Sequence, residues 1–480
     1  MPYGDIKLLV EFISNYAEVH AISLPGRTPQ HWNSNLRLLP TNCTKKKVYD
    51  LYVASASPGQ KTAGLSLFRR LWKTLLPFIS TMRPATDLCW TCQEGASKVA
   101  KASNHPEETK SAALKAMEEH LVRVTTERSY LNEVIKRAKG NVDLPPTLGP
   151  NGNCSRDFMM HYSFDFAQQV HYPCDPLQPG PIFFKTPRKC GLFGVCCEAI
   201  SRQVNFLIDE AVNCGKGANC VVSLIHHFFE HFSLGETNLH LHADNCSGQN
   251  KNSAMMQYLM WRVLTGRHKS IIISFLIAGH TKFSPDGCFG LIKRLYRRTK
   301  VNSLACFEKV VNESSVVNTA QIVGTGPEDV RVPTYDWASY LEQCFRKVKS
   351  IKSLLFQILD CSGDIHLLEY SDSQPSVQHL LKPGVTISNT LPQIIRPSGL
   401  NPVRKNYLYR EIRPFVEPFK DVVAPEPHTN GDVPSHPVRP AALPPASCMP
   451  VPSSSPNPGA GVPVQPAPKR KRPKKRRADP

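Results

Sequence analysis

Apolar and polar residues alternate along Leu239-His-Leu-His-Ala-Asp244, the period of a strand with one face on a core, and the pattern predicts a helix immediately after Asp244. Phe158-Met-Met-His-Tyr-Ser-Phe-Asp-Phe166 predicts a second strand, and it too carries one acid, Asp165. Ser270 to Ala278, dense in Ile and Phe, predicts a third. It is followed by Gly279-His-Thr-Lys-Phe-Ser-Pro-Asp286 and a basic helical stretch from Gly287 to Arg298. Gly180 to Ile208 reads as hairpin strands and Gly217 to Phe232 as a helix. Strands first, then helices alternating with strands, predict an α/β fold with a mixed five-stranded sheet and helices on both sides. Parallel pairing of the two acid-bearing strands would bring Asp165 and Asp244 to one end, where open α/β sheets bind ligands.

Upstream the period is helical. Ile6, Leu9, Val10, Ile13 and Ala17 make Asp5 to Ala21 amphipathic, and a further helix starts at Thr44. Ser57-Pro-Gly-Gln60 is a turn, and Leu65 to Ile79 sets Arg69, Arg70 and Lys73 among Leu67, Phe68, Leu71 and Trp72. Helix, turn and basic helix fit a recognition helix in a DNA groove, or equally a solvated helix face. Pro106 to Lys139 is a long charged helix with Ala113, Met117, Leu121, Val124, Leu131 and Ile135 at three- and four-residue spacing, stopped by Gly140. It reads as an antiparallel arm or a homodimer-forming coiled coil over residues 106–139. The segments are then a helical region at 1–140, a linker at 141–157 and a catalytic-type core at 158–323. A small α+β segment at 324–422 and a proline-rich, basic, disordered tail at 423–480 follow.

Charge adds a partner. The 480 residues carry a net +19, and Lys469 to Pro480 contributes eight basic residues and one Asp, so the remainder still holds +12. Such a surplus suits a polyanionic partner such as DNA, and ordinary solubility is the other reading. The cluster Lys469, Arg470, Lys471, Arg472, Lys474, Lys475, Arg476 and Arg477 reads as a nuclear localisation signal for an import receptor, and its charges also suit nonspecific DNA contact. The longest apolar run, Ile271 to Ala278, is far short of a membrane span, and the first residues lack a signal-peptide pattern. The 16 cysteines therefore read as reduced thiols. Cys89-Trp-Thr-Cys92 has the spacing of a zinc knuckle, with His105, His120, Cys190, Cys196 or Cys197 as candidate partners; plain packing is the other reading.

Asp165, Asp244 and Asp286 matter as a set. Like charges about 4 Å apart repel by ~1 kcal/mol in water and ~4 kcal/mol near a protein surface, and a divalent cation offsets that. Mg²⁺ or Mn²⁺, used as a pair, suits carboxylates and in-line phosphoryl transfer. The bland alternatives are a strand end for Asp165, an Asx turn for Asp244 and a helix cap for Asp286.

Asp244-Asn-Cys-Ser-Gly-Gln-Asn-Lys-Asn252 and Gly279-His-Thr-Lys-Phe-Ser-Pro-Asp286-Gly-Cys-Phe-Gly resemble a transposon-associated domain of animal genomes that is itself similar to a ribonuclease-H-like transposase core. The likeness runs from about Asp5 to about Val416 and includes Leu24-Pro-Gly-Arg27, Asp87-Leu-Cys-Trp-Thr-Cys92 and Tyr407-Leu-Tyr-Arg-Glu-Ile-Arg-Pro-Phe415. The resemblance implies a ribonuclease-H-like sheet with Asp165 on its first strand and Asp244 after its fourth. The third acid, on a later helix, is Asp286 or, failing it, Glu308, with Glu313 a further competitor. Asn245, Gln249, Asn250, Lys251, His280 and Lys282 would then contact substrate, as would Arg69, Arg70 and Lys73. The function implied is metal-dependent DNA cleavage or strand transfer in the nucleus. A noncatalytic DNA-binding or scaffold protein, and a nuclease acting on RNA, are the competing readings.

Overall fold

Leu9, Ile13 and Ala17 lie buried on one face of α1 (Tyr3–His20). They close a small core with β1 (Arg37–Leu39), α2 (Lys45–Ala54), α3 (Leu65–Leu75) and β2 (Ile79–Thr81), in which Val48, Tyr52, Phe68 and Trp72 meet. β1 and β2 pair in parallel, Arg37 with Ile79, so this region is not all helical as expected. Three-residue strands are too short to show a period in sequence. Arg69, Arg70 and Lys73 are exposed on α3. The computed structural model describes residues 2–21, 36–56, 61–82, 88–102, 106–141, 147–351, 356–360 and 362–427. The turn at 57–60, Leu24 to Arg27, His105 and the basic tail Lys469 to Arg477 lie outside them.

The arm follows. α4 (Trp90–Ala102) packs on α5 (Glu107–Gly140), with Gly95 against the Met117 side chain. The second half of α5 is used within the chain, where Val124, Glu127, Arg128, Leu131, Val134 and Ala138 are buried. Val124 and Leu131, read as part of a dimer seam, are thus already covered.

The core elements are β3 (Arg156–Tyr172), α6 (Gly180–Phe183), β4 (Arg188–Cys197), β5 (Arg202–Asp209), α7 (Ala218–His231), β6 (Glu236–Ala243), α8 (Ser253–Leu264), β7 (Ser270–Phe275), α9 (Ser284–Tyr296) and α10 (Leu304–Ser314). After them come β8 (Asn318–Gly326), β9 (Asp329–Val330), β10 (Thr334–Tyr335), α11 (Trp337–Cys344), β11 (Phe356–Leu359), β12 (Asp364–Leu368), β13 (Ser376–His379), β14 (Ile394–Ile395), α12 (Pro402–Tyr407) and α13 (Lys420–Val423). Among the described residues, ten strands form one mixed sheet in the order β13-β12-β11-β7-β6-β3-β4-β5-β8-β9. The expected five-stranded sheet is its centre: β3, β4 and β5 run antiparallel, and β6 and β7 add in parallel beside β3.

Three boundaries move. The segment at 324–422 is not a separate unit, because β11, β12 and β13 extend the sheet from β7 and β9 extends it through β8. Order continues past 423, where Val423 and Ala424 are buried. Asp244 follows β6 directly, but a loop over 244–252 separates it from α8, which Asn252 caps through the Met255 amide.

The sheet has two unlike faces. Tyr162, Phe164, Phe193, Val204, Leu239, Leu241, Ile271 and Ile273 form a continuous apolar core with α7, α8 and α11. On the other face, in register, stand His161 beside His240, Ser163 beside His242, and Asp165 beside Gly194. A Cβ on Gly194 would lie 2.8 Å from the Phe289 ring of α9, so glycine there lets α9 close on β4. Gly194→Ala is expected to destabilise the fold by about 1–3 kcal/mol and to push α9 away from β3. Chemical denaturation checks the first effect and amide exchange along α9 the second.

Candidate functional site

The register of β3 with β6 ends at Phe164 opposite Ala243. One step further along each strand come Asp165 and Asp244, at the carboxyl end of a parallel pair, where side chains at one level leave the same face. Asp165 accepts the Phe166 amide at 2.7 Å. Its carboxyl is pushed up to about 8, by burial first, then by the charges of Asp244 and Asp286. The three acids therefore share one electrostatic site. Asp286 is the third member; Glu308 lies on α10 and Glu313 pairs with Lys309 at 3.7 Å.

The Asp244 loop is internally bonded. Asp244 accepts the Cys246 amide at 3.1 Å and the Asn250 side-chain amide. Asn245 donates to the Leu276 carbonyl, and its oxygen accepts Lys251 Nζ at 2.9 Å. Burial brings the Lys251 amine down to about 8. Asn245, Asn250 and Lys251, read as substrate contacts, thus shape the loop that presents Asp244. Gln249 contributes backbone contacts to the same turn.

Asp286 stands in the first turn of α9, where its carboxylate accepts the Phe283 amide at 3.2 Å. Capping and membership of the acid set coexist. Lys282, four residues earlier, is exposed. Sequence reasoning missed Glu198, the buried acid just after β4: it accepts Ser163 of β3 and Ser284 of α9, the latter at 2.6 Å. An acid closing the apolar run before it was the available signal.

A second cluster lies at the arm. Cys89 Sγ is 3.4 Å from His120 Nε2, and Cys92 Sγ is 3.3 Å from His280 Nε2. All four ligand atoms lie within 4.8 Å of one another, a set able to hold a metal ion. Cys89, Cys92 and His280 are buried and His120 is half-buried. Burial, and then the neighbouring Cys89, push the Cys92 thiol up to about 12. A bound cation reverses that preference, since thiolate is the ligand form. Gly279 has φ +80°, and a Cβ there would sit 2.4 Å from Cys89 Cα, so only glycine lets this loop lie on the knuckle. His280, read from sequence as a substrate or carboxylate contact, instead completes the cysteine pair. Cys190, Cys196 and Cys197 lie in β4, outside the cluster.

Arg69, Arg70 and Lys73 are exposed on α3, and Lys45 of α2 lies near them. Lys45 is held below the ordinary lysine range by burial first, then by Lys73 and Arg69.

Residues 187–371 match the family model of a domain of unknown function (DUF7869). The match takes in Asp244, His280 and Asp286, while Asp165, Cys89, Cys92 and His120 lie before it. No curated protein and no solved structure matches the chain.

An unfolded Asp releases its proton near pH 4, and Asp165 in the folded chain near pH 8. Between these values the folded state holds the extra proton, so in cation-free buffer stability falls as pH rises from about 4 to about 8. Asp165→Asn is expected to flatten that fall, matching the parent at pH 4 and melting higher at pH 8. Thermal unfolding across the range measures it.

Proposed function

We propose that this chain is a transposase, or a protein derived from one, that cleaves or transfers DNA phosphodiesters with divalent cations at Asp165, Asp244 and Asp286. The observation that carries the reading is the β3–β6 register, which ends at Phe164 opposite Ala243 and so sets Asp165 and Asp244 side by side at the end of a parallel pair; the charges of Asp244 and Asp286 both act on the half-buried Asp165 carboxyl. Hard oxygen donors crowded at the carboxyl end of parallel strands suit Mg²⁺ or Mn²⁺. The central strand order β5-β4-β3-β6-β7, with the acids on its first strand, after its fourth and on the helix that follows its fifth, supports the ribonuclease-H-like resemblance.

Divalent cations held there would supply positive charge to the phosphodiester and acidify an attacking water or 3′ hydroxyl. Asp165 and Asp244, joined by Asp286 from α9, would hold the cations. The exposed Lys282 beside them meets the phosphate backbone, and Arg69, Arg70 and Lys73 supply a second basic contact. The basic tail takes the protein to the nucleus.

We assign zinc to the second cluster. Two thiolates and two imidazoles are its usual structural donors, and tetrahedral bonds of about 2.3 Å to sulfur and 2.0–2.1 Å to nitrogen put S and N about 3.6 Å apart. The observed 3.3 and 3.4 Å fit closely.

The purified chain is expected to nick DNA when Mg²⁺ or Mn²⁺ is added. Asp244→Asn should lower that rate by about a thousandfold, several kcal/mol of barrier, with DNA affinity retained. Tight DNA binding with no cleavage by the parent protein would instead favour the noncatalytic reading. Elemental analysis should find about one zinc per chain, lost in Cys92→Ser.

A further inference from the structure

We infer that the Cys89, Cys92, His120 and His280 centre is a positioning device for Asp286, tying the affinity of the carboxylate site to occupancy of a separate metal site; this rests on reading the three carboxylates as a cation site. Its four ligands come from three segments: the start of α4, the middle of α5, and the loop between β7 and α9. His280 is 188 residues from Cys92 in sequence and six before Asp286. The metal centre thus fastens the loop that carries the third acid.

The loop over 276–283 has no regular structure of its own. Its backbone is held by Asn245 at the Leu276 carbonyl and by a turn from the His280 amide to the Ile277 carbonyl at 2.9 Å. Its far end is held from α5: the buried Arg128 donates to the His280 carbonyl at 2.5 Å and to the Lys282 carbonyl at 2.6 Å. Arg128 lies eight residues beyond His120, about 12 Å along the same helix. The Asp286 charge counteracts the loss of basicity that burial imposes on Arg128. From the other side Glu198 ties Ser284 to Ser163, two residues before Asp165. α5 therefore grips the loop twice, through the metal at His120 and through the carbonyls at Arg128.

Without a metal, the two thiols and two imidazoles are joined by weak sulfur contacts and by the His120–His280 ring contact, centroids 5.5 Å apart, and the loop keeps its Arg128 hydrogen bonds on that side. A carboxylate must come within about 2.1 Å of a shared cation to ligate it, so a displacement of about 1 Å at Asp286 removes one ligand. Arg128 and His280 are accordingly positioning residues.

The test uses the full chain. Mn²⁺ binding is followed by electron paramagnetic resonance in three samples: zinc-replete, zinc-stripped and dialysed, and zinc-restored. Amide exchange is read over 279–287 and, as an internal control, over β3 and β6. We expect stripping to weaken Mn²⁺ binding by about tenfold or more and to deprotect 279–287 while β3 and β6 hold, with both effects reversed on restoring zinc. Unchanged Mn²⁺ affinity and unchanged protection would overturn the inference, and so would loss of β3 and β6 protection together with the loop, which would make the centre a general fold element. Arg128→Gln leaves all four ligands in place and decides the matter if Cys92→Ser does not fold: it too should weaken Mn²⁺ binding and loosen 279–287, and parent-like behaviour counts against the proposal. If zinc-replete protein binds no Mn²⁺ that Asp244→Asn abolishes, the carboxylate reading itself fails, and exchange over 279–287 still judges the positioning claim.

Discussion

Side chains on a strand change face with every residue, so the register between β3 and β6 decides whether Asp165 and Asp244 can meet at all. With Phe164 opposite Ala243, the next residue on each strand is an acid. A one-residue slip would send one carboxylate into the apolar core of Tyr162, Leu239 and Ile273. That core is what forbids the slip: Met160, Tyr162 and Phe164 on β3 and Leu239, Leu241 and Ala243 on β6 are fully buried on one face. The hydrophobic face holds the register, and the register holds the site.

The opposite face is costly. His161, His240 and His242 are buried there with Ser274, which contacts His240 at 2.9 Å and His242 at 2.8 Å. Neither ring nitrogen of His161 finds a hydrogen-bond partner among the described residues. An unsatisfied buried polar group costs about 1–3 kcal/mol. Burial, reinforced by His240 and His242, holds His161 well below its ordinary range, so these rings are neutral at physiological pH. A polar layer under α5 that leads to crowded carboxylates departs from what stability alone would select, and such departures gather at functional sites.

Much of this was legible in the sequence. Alternation from Leu239 to Ala243 placed Asp244 at a strand end, and an acid closing each of two apolar runs pointed to a pair. The third acid was harder, because Asp286 both caps α9 and adds its charge to the Asp165 site, and a cap alone explains it in one dimension. The place of His280 was hidden for a physical reason: its neighbours Cys89, Cys92 and His120 sit on the arm, and no local pattern links residues so far apart. β1 and β2 are too short for a period, and β11 to β13 looked independent because edge strands owe their place to the strand they pair with. In the Asp244 loop, polar residues that read as substrate contacts are consumed in folding the loop, a competition visible only once donors and acceptors are paired.

The central claim is that Asp165, Asp244 and Asp286 converge on divalent cations. A crystal of the full chain soaked in Mn²⁺ and measured at the manganese absorption edge tests it most directly. The account predicts an anomalous peak between the Asp165 and Asp244 carboxylates at about 2.1 Å from their oxygens, with Asp286 as a further ligand. Absence of a peak there, with the Asp165 and Asp244 carboxylates turned apart, would contradict it.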